Sequence, residues 1–337
     1  MTVMKYGQAI DYALGEAMAR DDCVVTWGED VRLIHRNLLA RFGPERVRDT
    51  PISEAAFLYA GIGAAMTGLR PVVEIMLIDF LPVAWAGIAN AASKFRDFSG
   101  GHWEVPLVVR AGCGGWYTDG GQHEQTFWGQ VSAYPNINVV CPSTPADAAG
   151  LMLTAVQSDE VVVFLEHQLL SEQWIDYLAG GSRATVSFDH LAPADGAEGD
   201  VPLPLEPLPL GQAAVRREGS DVALVSLGVG AHRCLEAANV LTASGIEASV
   251  LDLRSVYPLD KNAVLEQVRK TGRVVVVDED YIRGGLTGEI AALLLEAGVT
   301  TRYARVAVEG TIPFAPHLEY AALPNAERIV TAVKGLE

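Results

Sequence analysis

Short runs of β-branched residues alternate along the chain with longer segments whose apolar residues recur at helical spacing. Such runs are typical of buried strands, and a period of about 3.6 residues is typical of amphipathic helices. Their alternation predicts βα units that build a parallel sheet. The strands predicted in the first half are 23–27, 71–78, 106–110, 137–141 and 161–165. The helices predicted there are 6–20, 54–67, 82–95 and 145–157, the last with Ser143 or Thr144 as its N-cap.

A proline-rich segment separates this half from a second half of the same kind. Between Ser182 and Leu210 the alternation stops, and prolines stand among small and acidic residues, which is typical of an extended linker. The strands predicted after it are 222–227, 248–253, 273–278 and 303–308, and the helices are 231–243, 261–270, 287–297 and 326–333. The pattern therefore predicts two α/β domains joined by a linker.

Composition and charge narrow the classes of function. The chain has 337 residues, of which 50% are hydrophobic and 20% charged, as in a folded globular protein. Its formal net charge of -17 has the wrong sign for binding nucleic acid or an anionic membrane surface. We therefore expect neither nucleic acid nor a membrane among its partners.

The cysteines and the N-terminal sequence bear on the cellular compartment. The four cysteines are Cys23, Cys113, Cys141 and Cys234. They form no CxxC pair and predict neither a zinc site nor a disulfide framework. The N-terminal residues lack the apolar core of a signal peptide and the Arg/Ser-rich character of a transit peptide, so we expect a cytoplasmic protein. Asp79 and Pro82 interrupt the long apolar stretch 75–92, which favours a strand followed by a helix over a membrane span.

The glycines after one predicted strand of the second half resemble part of a nucleotide-binding motif. Gly228 and Gly230 follow a predicted strand and Asp252 ends the next, as in a dinucleotide-binding βαβ unit. The third glycine position holds Arg233, whose bulk would obstruct close packing of helix on strand, and we therefore disfavour nicotinamide binding. The sequence also contains no GxxxxGK[ST] loop, GxSxG elbow or HExxH helix.

The candidate chemistry lies in loops after the strands of the first half, because open α/β sheets bind ligands at the carboxyl ends of their strands. These loops read WGED at 27–30, DTPISE at 49–54, DF at 79–80 and GGWYTDGGQHEQ at 114–125. With them the chain resembles the β subunit of the thiamine-diphosphate-dependent decarboxylase component of 2-oxo acid dehydrogenase complexes. Further motifs that carry the resemblance are MKYGQAIDYALGEAM, GIGAAMTGLRPVVE, PSTPADAAGLM, DLRSVYPLD and VRKTGRVVVVDED. They span almost the whole chain in the family's order.

The resemblance implies an α/β fold with a transketolase-like pyrimidine-binding domain over 1–185, a proline-rich linker over 186–210 and a transketolase C-terminal-type domain over 211–337. It also implies thiamine diphosphate as cofactor. Related enzymes hold the diphosphate and Mg²⁺ through a Gly-Asp-Gly motif and an Asn-Asn pair, which supply oxygen ligands to a hard cation. Gly-Asp-Gly is absent from this sequence. The resemblance therefore implies an α subunit that supplies this half of the site in an α2β2 assembly, with a lipoyl-bearing acyltransferase core as a further partner.

The resemblance also assigns roles to individual residues. Glu54, in PISEAAF, matches the carboxylate that bonds the pyrimidine ring and drives its shift to the imino form. Without the resemblance, a glutamate in the first turn of a helix more often only interacts favourably with the helix dipole. Phe80 matches the aromatic residue packed on that ring. His123 matches an active-site histidine that orients the substrate or exchanges a proton. Glu29 either lies near the cofactor or caps the following segment. The implied site is thus Glu54 and His123 as catalytic residues, with Glu29, Glu54 and Phe80 binding the cofactor and no metal ligand.

Two departures from the family pattern leave the substrate open. Ala86 and Gly87 stand where relatives usually carry Asp-Gln, and the loop after GEDV is shortened. The first hypothesis is a β subunit that, with its α partner, decarboxylates a small 2-oxo acid and passes the acyl group to a lipoyl carrier. The alternatives are an acyloin-forming or transketolase-like enzyme and a scaffold that has lost activity, and retention of Glu54, Phe80 and His123 argues against the last.

Gly61, Gly63 and Gly68 are expected to serve packing or a turn rather than phosphate binding.

Overall fold

The computed structural model describes residues 1–173 and 192–336 and divides the chain into two α/β units. The first unit consists of Met1–Cys113 and Val131–Leu210, and the second of Gly114–Gln130 and Gly211–Glu337. The segment Gly114–Gln130 thus belongs to the second unit, although the residues before and after it in sequence belong to the first. Residues 174–191, which include the end of the predicted first domain and the start of the predicted linker, lie outside the described residues.

The strands of the first unit are β1 (Thr2–Lys5), β2 (Val24–Gly28), β3 (Val47–Asp49), β4 (Arg70–Leu77), β5 (Val108–Cys113), β6 (Ile137–Val140), β7 (Val161–His167) and β8 (Glu198–Val201). Its helices are α1 (Tyr6–Arg20), α2 (Val31–Ile34), α3 (Arg36–Phe42), α4 (Glu54–Met66), α5 (Phe95–Phe98), α6 (Trp128–Ser132), which begins in the second unit, α7 (Pro145–Gln157) and α8 (Ala194–Ala197). A 3-10 helix covers Ile78–Ala84 and a π-helix covers Gly87–Ala92.

Six strands of the first unit form a parallel sheet in the order β6-β7-β5-β4-β2-β3. Every residue of β5, β6 and β7 is buried, which explains why these strands are mostly apolar and show no alternation of apolar and polar residues. Helix α4 packs on β4, and α1 packs on α7. Thr144 caps α7 by accepting a hydrogen bond from the Asp147 amide, as one of the two predicted caps.

The segment predicted as one helix over 82–95 has a different structure. It contains the end of the 3-10 helix, the π-helix and the start of α5. Pro82 lies inside the 3-10 helix and has no amide hydrogen to give to a regular α-helix. Gly87 lies so close to α4 that a Cβ atom there would meet Leu58 Cδ2 at 2.9 Å. Local chemistry and close packing therefore break the helix that the apolar spacing predicts.

The described part of the predicted linker packs on the first unit. Strand β8 pairs antiparallel with β1, with Val201 opposite Thr2. Further along, the Leu208 amide donates to the Gly150 carbonyl of α7 at 3.1 Å, and the Thr154 hydroxyl donates to the Leu208 carbonyl at 2.7 Å. Within residues 192–210, strand β8 therefore pairs with β1, and Leu208 is hydrogen-bonded to α7. The linker boundaries themselves stay a prediction.

A cluster of buried charges lies at the centre of the first unit. His35, between α2 and α3, bonds the Asp11 carboxylate at 2.9 Å and the Glu74 carboxylate at 2.7 Å. Arg110 of β5 pairs with Asp11 at 2.9 Å and with Glu166 at 2.7 Å. Although burial opposes its charged form, His35 has a pKa raised to about 10 by Asp11 and Glu74. The cluster therefore cross-links α1, β4, β5 and β7 through paired charges.

The second unit contains six described strands, and five of them form one sheet. Its strands are β9 (Ala214–Arg217), β10 (Val222–Ser226), β11 (Ala248–Asp252), β12 (Ser255–Tyr257), β13 (Arg273–Tyr281) and β14 (Arg302–Val308). Its helices after α8 are α9 (Val229–Thr242), α10 (Lys261–Thr271), α11 (Leu286–Glu296), α12 (Pro316–Ala322) and α13 (Ala326–Lys334). The sheet order is β14-β13-β10-β11-β9, parallel except for the antiparallel pair β9 and β11.

The glycines after β10 have packing roles. A Cβ atom at Gly230 would meet the Ser226 hydroxyl at 2.2 Å, and Gly228 has a φ of 55°. Arg233, at the position where a dinucleotide site needs a third glycine, lies over the Trp116 ring at 4.6 Å and pairs with Glu236 at 2.7 Å. These contacts give Arg233 a structural role in its own unit. Among the described residues, no helix is both long and apolar enough to cross a membrane.

Helix α4 supplies a matched pair of glycines that tests the packing of the first unit. A Cβ atom at Gly61 would meet Val73 Cγ2 at 2.5 Å, whereas one at Gly63 would meet no atom within 4 Å. We expect Gly61→Ala to lower the free energy of unfolding by about 1–3 kcal/mol through overpacking. Gly63→Ala should raise it by roughly 0.5–1 kcal/mol, because alanine favours the helix. Urea unfolding of the isolated chain measures both, and equal stability of the two variants would contradict the packing described here.

The buried cluster predicts a pH-dependent stability. His35→Gln removes a positive charge from between two buried carboxylates and should destabilise the first unit by about 3–5 kcal/mol at pH 7. Since its pKa is raised, the contribution of His35 is complete below its ordinary value and is lost as pH rises through about 10. The difference between wild type and variant in urea unfolding should therefore shrink from pH 7 to pH 10. The exposed neighbour Arg36→Gln is the control, and a pH-independent difference would refute the assignment.

Candidate active site

The first unit brings three of the predicted site residues to one edge of its sheet. Glu29 follows β2, Phe80 follows β4, and Glu54 begins α4. Strands β2 and β4 are parallel neighbours, so their carboxyl ends meet at the same edge. Helix α4 packs on the 3-10 helix that carries Phe80. The parallel order of the sheet, rather than closeness in sequence, thus gathers these side chains.

Glu54 is a buried carboxyl group at a helix start. Its exposed fraction is 8%, and no described residue donates a hydrogen bond to its carboxyl oxygens. The preceding loop is tied to the sheet, since the Thr50 amide donates to the Gly28 carbonyl at 2.9 Å. The Thr50 hydroxyl is also buried and has no hydrogen-bond partner among the described residues. This site therefore combines a buried acid and a buried hydroxyl whose bonding capacity the described protein groups leave unused.

Glu29 lies close enough to Glu54 for the two carboxyl groups to interact. Burial raises the pKa of Glu29, and the neighbouring Asp30 and Glu54 raise it further. Gly28 lets β2 lie close to β4, because a Cβ atom there would stand 2.2 Å from the Glu74 carbonyl oxygen. The acidic neighbours thus favour the protonated form of Glu29 at this edge, and perturbed acids of this kind are typical of functional sites.

His123 lies in the second unit, on the segment Gly114–Gln130. It is half-buried, and its amide donates to the Gly120 carbonyl at 3.0 Å. Gly120 has a φ of 69°, and a Cβ atom there would meet the Phe314 ring at 2.9 Å. The Gly121 amide donates to the Ile312 carbonyl at 2.9 Å. The glycines beside His123 therefore serve the packing of this segment, and they give no separate support to a catalytic role.

Buried carboxyl groups that the sequence reasoning missed hold this segment in the second unit. Trp116 Nε1 donates to Glu279 at 2.9 Å, Trp128 Nε1 donates to Asp278 at 2.9 Å, and the Gly129 amide donates to Asp280 at 2.8 Å. Burial raises the pKa of Asp278 to about 6, and burial together with Asp278 raises that of Asp280 to about 7. The run of three acids that ends VVVVDED is the sequence signal, because a charged run after a buried strand needs partners.

Two further acids bind the loop that precedes His123. Glu124 accepts hydrogen bonds from the amides of Tyr117 at 2.8 Å, Asp119 at 2.9 Å and Gly120 at 3.1 Å. Glu319 of α12 accepts one from the Thr118 amide at 3.1 Å. The two carboxyl groups lie close enough to influence each other's ionisation. Burial, followed by the proximity of Glu319, raises the pKa of Glu124 to about 9.

The two places where the sequence departs from its relatives, Ala86 with Gly87 and the loop after GEDV, contain both exposed and buried residues. Ala86 is exposed, whereas Gly87 is buried against Leu58. The loop after GEDV forms α2 and α3 with the buried His35 between them. Among the described residues, no group of three or more His, Cys, Asp or Glu side chains could hold a metal ion.

Comparison with known proteins identifies both units. The model of the transketolase pyrimidine-binding domain family matches residues 2–173, and that of the transketolase C-terminal domain matches residues 211–329. The solved structure of a split-gene transketolase, an inactive β4 tetramer, has a TM-score of 0.77 to this chain. The match covers 99% of this chain and 98% of that one at 22% identity, and it shows similarity of fold.

Three curated relatives are similar to this chain along almost their whole length. The chain is 36% identical to the β subunit of acetoin:2,6-dichlorophenolindophenol oxidoreductase from Cupriavidus necator, over 97% of this chain and 95% of that one. It is also 36% identical to the β subunit of the pyruvate dehydrogenase E1 component from Rickettsia felis, over 97% and 96% of the two chains. Identity to the 2-oxoisovalerate dehydrogenase β subunit of Bacillus subtilis is again 36%, over 100% and 99%.

The coupling of Glu29 to Glu54 can be tested without any ligand. Glu54→Gln removes the neighbouring carboxylate, and we expect the pKa of Glu29 to fall toward its ordinary value. A pH titration of the Glu29 carboxyl carbon by NMR measures the change, with the exposed Glu45→Gln as control. An unchanged Glu29 titration in Glu54→Gln would mean that the two acids do not share one site.

Proposed function

The chain belongs to the family of transketolase-like β subunits found in pyruvate and 2-oxoisovalerate dehydrogenases and in acetoin oxidoreductases. On this premise we propose that it is the β subunit of a thiamine-diphosphate-dependent 2-oxo acid dehydrogenase. With an α subunit it decarboxylates a small 2-oxo acid and transfers the acyl group to a lipoyl carrier. The observation that carries the proposal is Glu54, a buried acid without a described hydrogen-bond donor at the edge of the sheet.

The residues at this edge suit a thiamine ring. Bound thiamine diphosphate supplies the carbon nucleophile for the 2-oxo group and accepts the electrons released on decarboxylation. Glu54 would hold a pyrimidine ring nitrogen by a hydrogen bond, because a buried acid with unused bonding capacity binds such an atom strongly. Phe80, half-buried after β4, offers a flat apolar surface to the ring. Glu29, whose pKa is raised by burial and by its acidic neighbours, lies beside Glu54 at this edge.

The remaining half of the cofactor site is assigned to a partner. A diphosphate with Mg²⁺ needs oxygen ligands in a fixed arrangement, and this sequence contains no Gly-Asp-Gly motif to provide it. An α subunit therefore holds the diphosphate and the metal in an α2β2 assembly, and a lipoyl-bearing acyltransferase core receives the acyl group. His123 orients the substrate carboxylate or exchanges a proton with the reacting group. The assembly is placed in the cytoplasm.

Turnover of the reconstituted enzyme tests the proposal. The chain is co-purified with an α subunit that contains the Gly-Asp-Gly and Asn-Asn elements, and a panel of 2-oxo acids is assayed with an artificial electron acceptor. Glu54→Gln should lower kcat by about 100- to 10,000-fold, the range contributed by a positioned acid or base. The variant should keep its circular-dichroism spectrum and its binding to the α subunit.

The control is Glu45→Gln, which removes an exposed carboxylate from the same unit. Full turnover by Glu54→Gln, or turnover by the chain without any partner, would refute the proposal. Product analysis separates the alternative, since a hydroxyketone with a new carbon–carbon bond in place of an acyl-lipoyl product indicates an acyloin-forming enzyme.

A further inference from the structure

Four consecutive peptide groups, from Tyr117 to Gly120, point their N–H bonds at only two side chains. Three of the amides donate to Glu124 and the fourth, that of Thr118, donates to Glu319. Both carboxyl groups are buried, with exposed fractions of 0% and 2%. Successive amides that converge in this way form a binding site for an anion. Here the carboxyl groups of Glu124 and Glu319 occupy that site.

The loop adopts a backbone that needs such support. Trp116 has a φ of 83° and Thr118 a φ of 59°, and neither is a glycine. A left-handed conformation costs a non-glycine residue roughly 1–2 kcal/mol, so the loop is strained unless its amides are bound. His123 lies three residues after Gly120, the last residue of this turn, and its own amide donates to the Gly120 carbonyl at 3.0 Å. The path of the chain into His123 is therefore set by the groups that hold residues 117–120.

We propose that Glu124 and Glu319 act as one positioning pair, which holds the 117–120 turn and thereby fixes His123, and that the pair does so only while it retains a shared proton. The inference rests on the role proposed above for His123. Two deprotonated carboxylates in contact repel each other in a buried site, whereas one carboxylic acid and one carboxylate share a hydrogen bond. Loss of the proton thus separates the two groups and releases part of the turn.

The direction of the pH effect follows from the burial of the pair. The pKa of Glu124 is about 9 in the folded chain, and that of Glu319 is raised by burial as well. A carboxyl group with a raised pKa contributes most to stability below its ordinary pKa and loses that contribution as pH rises through the folded value. The turn is therefore held at neutral pH and is released near pH 9. The other ionisable groups on the loop and on the elements packed against it are Asp119, His123, Arg233, Glu279 and His317.

Substitution at Glu319 separates a protonation role from a merely structural one. In Glu319→Gln the amide oxygen accepts from Thr118 and the amide nitrogen donates to the Glu124 carboxylate, so the contacts need no shared proton. Glu124→Ala removes the acceptor for three amides. Glu296→Gln, on the exposed face of α11, removes one negative charge from the same unit and serves as the control.

The first readout is hydrogen exchange of the full-length chain, which requires neither cofactor nor activity. After correction for base-catalysed exchange, protection of the 117–120 amides should fall as pH rises through about 9 in wild type and in Glu296→Gln. It should persist to higher pH in Glu319→Gln and be lost at every pH in Glu124→Ala. Identical pH dependence in wild type and Glu319→Gln would overturn the proposal.

The second readout is the pH profile of kcat for the complex with the α subunit. Wild type should lose activity with an apparent pKa near 9, and Glu319→Gln should move this limb upward by about 1 unit or more. Glu124→Ala should lower kcat on the order of 100-fold through misplacement of His123, with partial recovery in Glu124→Gln. If His123→Gln keeps full activity while the exchange results hold, the role proposed for His123 fails and the pairing of the two acids stands. An alkaline limb that stays in place in Glu319→Gln contradicts the pairing.

Discussion

Carboxyl groups that are buried and bound by N–H donors determine the structure of the second unit. Asp278, Glu279 and Asp280 on β13 bind the two ends of the segment Gly114–Gln130, and Glu124 with Glu319 binds its middle. A buried carboxylate is costly unless it is bonded, so each of these acids requires its donor in place. The arrangement of the segment, and with it the position of His123, therefore depends on the acids as much as the acids depend on the segment.

The first unit uses close packing and paired charge for a similar purpose. Gly28 and Gly61 let the backbone approach Glu74 and Val73, so that α4 lies directly on the sheet. The cluster around His35 and Arg110 joins helices and strands through ion pairs that are satisfied on all sides. Gly28 directly precedes Glu29, so the close packing of β2 on β4 extends to the edge where Glu29, Glu54 and Phe80 lie. Rigid packing below that edge leaves the bonding capacity of Glu54 unused, which is the condition under which a buried acid binds a ligand.

The distribution of chemistry between the two units fits a shared cofactor. The first unit has the acids and the aromatic ring that suit a pyrimidine, and the second holds a histidine on a strained, anchored turn. Within the described residues neither unit contains a cluster of metal-ligating side chains. The proposed completion of the site by a second polypeptide accounts for this distribution.

The sequence by itself determined the alternation of strands and helices, the exact bounds of α1 and α7, and the family, because these depend on local periodicity and contiguous motifs. It also placed Glu29 and Phe80 after strands and Glu54 at the start of a helix. Only the tertiary structure decided that residues 82–95 form no single helix and that Gly114–Gln130 belongs to the second unit. Both results depend on contacts between residues distant in sequence, such as Gly87 with Leu58 and Glu124 with Glu319. No local pattern records those contacts.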